Sequence, residues 1–247
     1  MCGRFVRKTS ALQVSQVFAA QINTDELAIS FNVAPTSRVL AVVNDSNTRS
    51  LVNFSWGLIP RWAPDSSRAA SMINARVETV AEKPSFRDLV SKNRCVLPMD
   101  GYFEWREQLR HDAMKSMKQP FYFSANSESR FSHRGVLAVA GLWTSWKDPN
   151  QSNGQALHTV VALTMTANDM VGEIHHRMPV LLDKQGVESW LDEGTQRPLE
   201  DLEVVPNDAL VVCPVSTKVN SSRNNGSELI DPIDLTQAQP VDELKLF

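Results

Sequence analysis

The stretch Arg94-Cys-Val-Leu-Pro-Met-Asp-Gly-Tyr-Phe-Glu-Trp105 contains two short apolar runs, 94–98 and 101–105. Short runs rich in Val, Leu, Phe and Trp predict β-strands. Similar runs recur along the chain at 38–43, 51–56, 120–124, 136–143, 157–164, 178–182 and 209–215. The pattern predicts an α+β fold with a mainly antiparallel, curved sheet or a barrel-like β core.

Helical signals are few in this chain. Thr9 and Ser10 can cap a helix that runs to about Ala20. Three shorter helices are predicted at 84–91, at 168–174 with Asn168 as the cap, and at 184–192. Two polar segments are predicted to be long surface loops, 106–119 and 145–156.

The length of 247 residues suits one sizeable core. We predict one domain over 1–230 and an acidic tail over 231–247, in a monomeric protein. From 228 to 247 the chain carries five acids and one lysine, whereas 1–227 holds 24 basic and 23 acidic residues. Any nucleic-acid site must therefore be a local cluster of positive charge.

Other compositional features narrow the class of protein. No apolar run reaches the roughly 18 residues of a membrane span, and no apolar signal region follows the N-terminus, so we predict a cytoplasmic protein. Cys95 and Cys213 have the apolar neighbours of buried strand residues, and no disulfide framework is expected. A metal site is not expected, because there is no CxxC pair and His175 and His176 are adjacent.

Polar motifs interrupt the apolar runs at six places. They are Met1-Cys-Gly-Arg-Phe5, Phe31-Asn-Val-Ala-Pro-Thr36, Trp56-Gly-Leu-Ile-Pro-Arg-Trp62, Ile73-Asn-Ala-Arg-Val-Glu-Thr79, Gly101-Tyr-Phe-Glu-Trp105 and Ile174-His-His-Arg-Met-Pro179. In this order the motifs resemble the SRAP family, the SOS-response-associated peptidases or abasic-site processing proteins. The resemblance runs from Cys2 to about Glu228. It implies the SRAP fold, no cofactor, association with the nucleoid during DNA damage, and covalent capture of abasic sites in single-stranded DNA by an N-terminal cysteine.

The chemistry of Cys2 supports the same reaction. Removal of Met1 would leave an α-amine and a thiol on one residue, a 1,2-aminothiol. The α-amine has a pKa of about 7.7–8.0, so roughly a third of it is unprotonated near pH 7.5, against about a thousandth of a lysine. The amine can condense with the sugar aldehyde, and the thiol can close on the imine to give a thiazolidine. The alternative is that Cys2 is merely a small N-terminal residue.

Three further residues are candidates for the catalytic site. Glu104, between Phe and Trp at the end of a predicted strand, is expected to have a raised pKa and to move protons. His175 is a second acid or base, and Asn74 can orient the amine or the opened sugar. If 73–77 alternates as a strand, Asn74 and Arg76 share one face. The alternatives are that Glu104 pairs with Arg106 or Lys118, and that His175 satisfies a helix end.

DNA contacts are predicted from arginine, which binds phosphate in a bidentate manner, and from aromatic or apolar side chains that stack on bases. The phosphate contacts are Arg4, Arg76 and Arg177, with Arg61 and Lys218 as further candidates, and the stacking or wedging residues are Trp62, Trp105 and Pro35. We expect Asn32 to brace the N-terminal strand, and Trp56 and Trp143 to pack in the core.

Two other functions are compatible with the sequence. In an N-terminal-nucleophile hydrolase or autopeptidase, the thiol of Cys2 would attack an amide, with its own amine as the base. In a non-covalent single-strand binder, Cys2 would be incidental and binding would depend strongly on salt.

Overall fold

The computed structural model describes residues 3–45, 48–108, 117–150 and 155–235. Within these ranges the chain forms fifteen β-strands and five α-helices. The strands are β1 Arg4–Arg7, β2 Gln21–Ile22, β3 Ser30–Val33, β4 Arg38–Asp45, β5 Thr48–Trp56, β6 Asn74–Arg76, β7 Arg94–Met99, β8 Gly101–Gln108, β9 Met117–Ala125, β10 Ser132–His133, β11 Val136–Trp146, β12 Leu157–Thr166, β13 Arg177–Pro179, β14 Leu181–Leu182 and β15 Leu210–Pro214. The helices are α1 Ala11–Phe18, α2 Val77–Val80, α3 Arg87–Val90, α4 Asp169–Gly172 and α5 Lys184–Leu191. Strands thus dominate the fold, and the predicted α+β class is confirmed.

The strands form two sheets. The five-stranded sheet has the order β15-β9-β8-β1-β3, and the larger sheet has the order β10-β11-β7-β4-β5-β12-β13, with β14, β2 and β6 attached to β11, β5 and β12. Most neighbours are antiparallel, but β2, β6 and β12 make parallel pairs. Because β12 pairs with both β5 and β11, the larger sheet curls strongly. It is not a regular barrel, since β12 and β5 share only two residue pairs.

The core lies largely between these sheets. One cluster of buried side chains includes Trp56, Tyr102 and Trp190, and Trp143 packs partly buried against it. A smaller cluster around Phe103 covers the other face of the five-stranded sheet. Successive side chains of a strand point to opposite faces, so this division of Tyr102 from Phe103 fixes the orientation of β8.

Helix α1 begins where the sequence predicts. The side chain of Ser10 accepts a hydrogen bond from the backbone N–H of Gln13, and the Gln13 side chain accepts one from the N–H of Ser10. This capping box satisfies backbone donors that would otherwise be unpaired at the first turn. Ala19 then adopts a left-handed conformation with φ of 50°, which ends the helix before Ala20.

Several predicted boundaries are wrong. The two ends of the segment 106–119 are not loops, because β8 and β9 extend into it and pair as far as Gln108 and Met117. Residues 109–116, between these ends, lie outside the described residues. Glu104 is consequently near the middle of β8 rather than at a strand end. The predicted strand 178–182 is divided at Val180, because β13 pairs with β12 and β14 pairs with β11. The predicted helix 84–91 is reduced to α3, and β3 was not predicted as a strand.

The C-terminal boundary of the domain stays a prediction. Residues 231–235 contact β15, where Val215 bridges to Pro232 and the N–H of Ile233 donates to the carbonyl of Pro214 at 2.9 Å. Residues 236–247 lie outside the described residues. Among the helices that the structure describes, none has the length and apolar character needed to cross a membrane.

Candidate functional site

Glu104 carries a buried carboxyl group on a central strand of the five-stranded sheet. Strand β8 runs between β1 and β9, and Phe103 is paired with Arg4. Since side chains alternate along a strand, Glu104 points to the same face as Tyr102, toward the space between the sheets. Its side chain is only 2% exposed, and this burial raises the pKa of Glu104 to about 7. A carboxyl with this pKa can both donate and accept a proton near neutral pH.

His175 is the imidazole that approaches this carboxyl. Its Nδ1 lies 4.0 Å from Oε1 of Glu104, which is close enough for electrostatic coupling and too long for a hydrogen bond. The backbone N–H of Arg177 donates to the same Nδ1 at 3.0 Å. Partial burial lowers the pKa of His175, and the positive charge of Arg177 acts in the same direction. The structure therefore brings together the two predicted proton-transfer groups, although β8 and this segment are about 70 residues apart in sequence.

The short segment that carries His175 is fixed at both ends. The side chain of Asn168 caps α4 by accepting from the N–H of Val171 at 2.9 Å, as the sequence predicts. The N–H of His175 then donates to the carbonyl of Val171 at 2.9 Å. The ring of His176 stacks on that of His175 with a centroid distance of 4.5 Å and is itself exposed. His175, rather than His176, is thus the histidine that faces Glu104.

Arg177 has an environment that argues against the predicted phosphate contact. Its guanidinium donates to both carboxylate oxygens of Glu78, at 2.6 and 2.9 Å, and to the carbonyl of Thr164 at 2.7 Å. The side chain is 8% exposed. The hydrogen bond from Arg177 lowers the pKa of Glu78, which keeps this carboxylate ionised. The pair holds α2 against β13. Glu78 was assigned no role from the sequence, although it belongs to the motif 73–79.

Asn74 and Arg76 share one face of β6, as predicted. Strand β6 runs parallel to β12, with Ala162 opposite Asn74 and Thr164 opposite Arg76. Ala75 is buried between them, whereas Asn74 is half-buried and Arg76 is exposed. The strand is shorter than predicted, because Val77 already begins α2. The described contacts of Asn74 do not link it to Glu104 or His175.

Arg4 belongs to a polar network that joins β1 to the segment 217–225. Its guanidinium donates to Oδ1 of Asn32 at 2.8 Å and to the carbonyl of Val219 at 3.0 Å. The Asn32 amide donates to three carbonyls of this segment, those of residues 219, 221 and 224. The predicted bracing role of Asn32 is thereby supported, and Arg4 is held by the same network rather than projecting freely from the surface.

Trp105 is fixed by the same segment. Its indole Nε1–H donates to Oδ1 of Asn220 at 2.7 Å, and the side chain packs partly buried against the small apolar cluster. Asn220 belongs to the 3₁₀ turn Thr217–Asn220, which also carries the exposed Lys218. Neither predicted alternative partner pairs with Glu104 here. Lys118 pairs with Glu107 at 3.4 Å, and the guanidinium of Arg106 lies over the ring of Phe121.

The remaining predicted residues range from exposed to fully buried. Trp62 is 67% exposed and Arg61 is exposed, in the loop after β5, whereas Pro35 is half-buried in the turn between β3 and β4. Cys95 is fully buried, and Cys213 is half-buried. Cys2, the predicted nucleophile, lies outside the described residues.

The fold and the residue set belong to a known class. The family model for the SOS response associated peptidases (SRAP) matches residues 1–222, so the chain belongs to this family. The protein is 36% identical over 237 residues to the abasic site processing protein YoqW of Bacillus subtilis, covering 94% of this chain and 99% of that protein. It is 32% identical to the abasic site processing protein HMCES of Xenopus tropicalis, covering 87% of this chain and 69% of that protein.

Solved structures share the same fold. A protein from Bacteroides thetaiotaomicron aligns with a TM-score of 0.78 over 94% of this chain and all of that chain, at 24% identity. A phage-related protein from Bordetella bronchiseptica aligns with a TM-score of 0.65 over 87% of this chain and 94% of that chain, at 25% identity.

Proposed function

We propose that this protein processes abasic sites in single-stranded DNA by crosslinking to them through Cys2 after removal of Met1. Membership of the SRAP family and the names of the relatives support action on abasic sites. The observation that carries the proposal is the buried carboxyl of Glu104, with a pKa of about 7, beside the imidazole of His175.

The position of Cys2 in the chain supports its role in the proposal. Gly3 directly precedes β1, whose first residue, Arg4, pairs with the neighbour of Glu104. One peptide unit spans about 3.8 Å between Cα atoms, so the covalent chain limits how far Cys2 can lie from this strand end. We therefore assign the reaction to the space beside Glu104.

The proposed reaction proceeds in three steps. The α-amine of Cys2 attacks the open-chain aldehyde carbon, and the carbonyl oxygen takes up a proton to give a carbinolamine. Loss of water, assisted by the acid form of Glu104, gives the imine. The thiol of Cys2 then adds to the imine carbon while its proton passes to the nitrogen, which yields the thiazolidine. The net change is the release of one water molecule.

The other residues have supporting roles in this proposal. Asn74 orients the amine or the opened sugar, and His175 hydrogen-bonds the sugar or carbinolamine oxygen. Arg76, Arg61 and Lys218 are exposed and contact phosphates. The phosphate contacts predicted for Arg4 and Arg177 stay predictions. The guanidinium of Arg4 also donates to the carbonyl of Val219, and that of Arg177 donates to Glu78 and to the carbonyl of Thr164. Trp105, Pro35 and Trp62 contact bases.

The test is adduct formation with an oligonucleotide that contains one abasic site. The N-terminus of the protein is first shown by mass spectrometry to begin at Cys2. We expect a heat-stable adduct with the wild type and none with Cys2→Ala. Cys213→Ala is the matched control and should retain the adduct, because partial burial raises the pKa of that thiol.

Three outcomes would contradict the proposal. An equal adduct with Cys2→Ala would eliminate Cys2 as the nucleophile. Salt-dependent binding with no adduct for the wild type would favour a non-covalent binder. Turnover of a peptide or amide at Cys2 without adduct formation would favour the hydrolase.

A further inference from the structure

A surface cavity of about 440 Å³ lies beside Trp62. Its walls come from three parts of the chain: the loop after β5, the region of α3, and β11. Neither Glu104 nor His175 is among its lining residues. The volume is within the range of about 300–1,000 Å³ that is typical of small-molecule sites.

The exposed indole of Trp62 is held by a fixed turn. The N–H of Ala63 donates to the carbonyl of Pro60 at 2.9 Å, and the indole Nε1–H of Trp146 donates to the carbonyl of Ala63 at 2.8 Å. Before this turn, the N–H of Ile59 donates to Oγ1 of Thr159 at 3.0 Å. A large aromatic side chain that is 67% exposed on so well-anchored a turn presents a rigid surface for stacking.

Thr144 lines the same cavity and carries a hydroxyl group without a partner. Its side chain is 1% exposed, and within the described ranges of the chain its Oγ1 makes no hydrogen bond. Its neighbour across the β11–β12 pair, Thr159, has its hydroxyl satisfied by Ile59. Buried polar groups in folded proteins are generally hydrogen-bonded, so the hydroxyl of Thr144 indicates that a ligand completes this wall.

Asn93 and three charged residues, Arg61, Lys92 and Asp88, also line the cavity, and the carboxylate of Asp88 is paired with Arg87 at 3.5 Å. The backbone of Asn93 is fixed, because its N–H donates to Leu89 at 2.8 Å and its carbonyl accepts from Trp143 at 2.9 Å. Its half-buried side chain offers an amide donor next to a carbonyl acceptor, the pair of groups that matches the edge of a nucleobase. Arg61 and Lys92 are exposed at the cavity.

We infer that this cavity binds a nucleobase that stacks on Trp62 and is hydrogen-bonded at its edge by Asn93 and Thr144. Arg61 and Lys92 would contact the adjoining phosphate. The inference rests on the proposed function in that it takes the ligand to be a base of the bound single strand. It differs from that function in needing neither an aldehyde nor Cys2.

The experiment uses intact single strands, which contain no abasic site and cannot be captured. A set of oligonucleotides carries 2-aminopurine, a base whose fluorescence is quenched by stacking, at successive positions. Affinity is measured by anisotropy with the same strands. We expect quenching on binding of the wild type, and Trp62→Ala should abolish the added quenching and lower the affinity by between about 5-fold and 150-fold. Leu12→Ala, at a residue 60% exposed on α1, is the matched control and should behave as the wild type.

Thr144→Val separates binding from folding. The substitution removes the hydroxyl and nearly preserves the shape, so the melting temperature should stay the same or rise. The affinity for the strand should nevertheless fall by about 2-fold to 12-fold, the value of one hydrogen bond. A role in folding alone predicts unchanged affinity.

The possible failures are distinguishable. Wild-type affinity and quenching in both Trp62→Ala and Thr144→Val would overturn the nucleobase site, whatever the outcome of the crosslinking test. Quenching that persists when no adduct forms with abasic DNA would instead overturn only the proposed function. Competition by millimolar deoxynucleoside monophosphates without binding of the strand would show a free-nucleotide site and contradict the inference.

Discussion

Two carboxyl groups approach the segment 175–177, and their environments differ. Glu104 is 2% exposed and lies 4.0 Å from His175, and burial raises its pKa to about 7. Glu78 is 47% exposed and binds Arg177 through two hydrogen bonds, which lower its pKa. The first group is thus poised to exchange a proton near neutral pH, whereas the second remains an anion.

The difference shows how one short segment can serve both structure and chemistry. Arg177 satisfies Glu78 and also orients His175, because its backbone N–H donates to Nδ1 of the imidazole. A pair of titratable groups whose pKa values are shifted in opposite directions is a recurrent feature of acid and base sites. Substitution of each carboxyl by its amide should therefore affect different properties of the protein.

The largest effect is expected for Glu104→Gln. Loss of a positioned proton donor typically slows a reaction by about 10²- to 10⁴-fold, so the rate of adduct formation should fall within this range while binding of intact single-stranded DNA is kept. The wild-type rate should pass through a maximum near neutral pH, because Glu104 loses its proton through about pH 7 while the α-amine of Cys2 becomes unprotonated through about 7.7–8.0. The variant should lack the decrease on the alkaline side of this maximum. An unchanged rate constant in a quenched time course would remove Glu104 from the mechanism.

The same variant should alter the dependence of stability on pH. The folded-state pKa of Glu104 is raised from 4.5 to about 7, so the folded protein holds a proton that the unfolded chain has released between these values. Its contribution is complete below about pH 4.5 and is lost as the pH rises through 7, by up to about 3 kcal/mol. In urea titrations across this range, the stability of the wild type relative to Glu104→Gln should therefore fall as the pH rises.

A smaller effect on stability, with the opposite dependence on pH, is expected for Glu78→Gln. The substitution leaves the buried guanidinium of Arg177 without its anion, so the free energy of unfolding should fall by about 1–3 kcal/mol. Because the folded-state pKa of Glu78 is lowered, its contribution is present above its ordinary pKa and is lost as the pH falls through the folded value. The exposed Glu82→Gln is the control and should lie within about 0.5 kcal/mol of the wild type. A loss of adduct formation as large as that of Glu104→Gln would contradict the division of roles.

The sequence predicts the parts of this molecule that depend on neighbouring residues. The start of α1 follows from Ser10 and Gln13, which are three residues apart, and the cap of α4 follows from Asn168. The candidate pair of Glu104 and His175 came from the order of family motifs. Their spatial proximity was implied by the motifs and could not be deduced from strand periodicity.

The remaining features depend on contacts between distant residues. Arg177 and Glu78 are 99 residues apart, and Arg4 and Val219 are 215 apart. Arginine beside a DNA site is chemically suited to phosphate, and only the fold shows that these two side chains have protein partners. The unpaired hydroxyl of Thr144 has no signal in the sequence, because a threonine within a strand is ordinarily a packing residue.

The smallest effect is expected for Arg76, an exposed arginine, in contrast to the buried Arg177. Arg76 shares a face of β6 with Asn74 and is exposed, whereas Arg177 is bound to Glu78. If Arg76 contacts one phosphate, Arg76→Gln should weaken the salt dependence of single-strand binding by about 0.7 in the slope of log affinity against log salt, with unchanged stability. Arg197→Gln, which alters an exposed arginine paired with Glu200, is the control and should leave the slope unchanged. Equal slopes for the wild type and Arg76→Gln would place the DNA backbone elsewhere, and would limit the role of β6 to positioning Asn74.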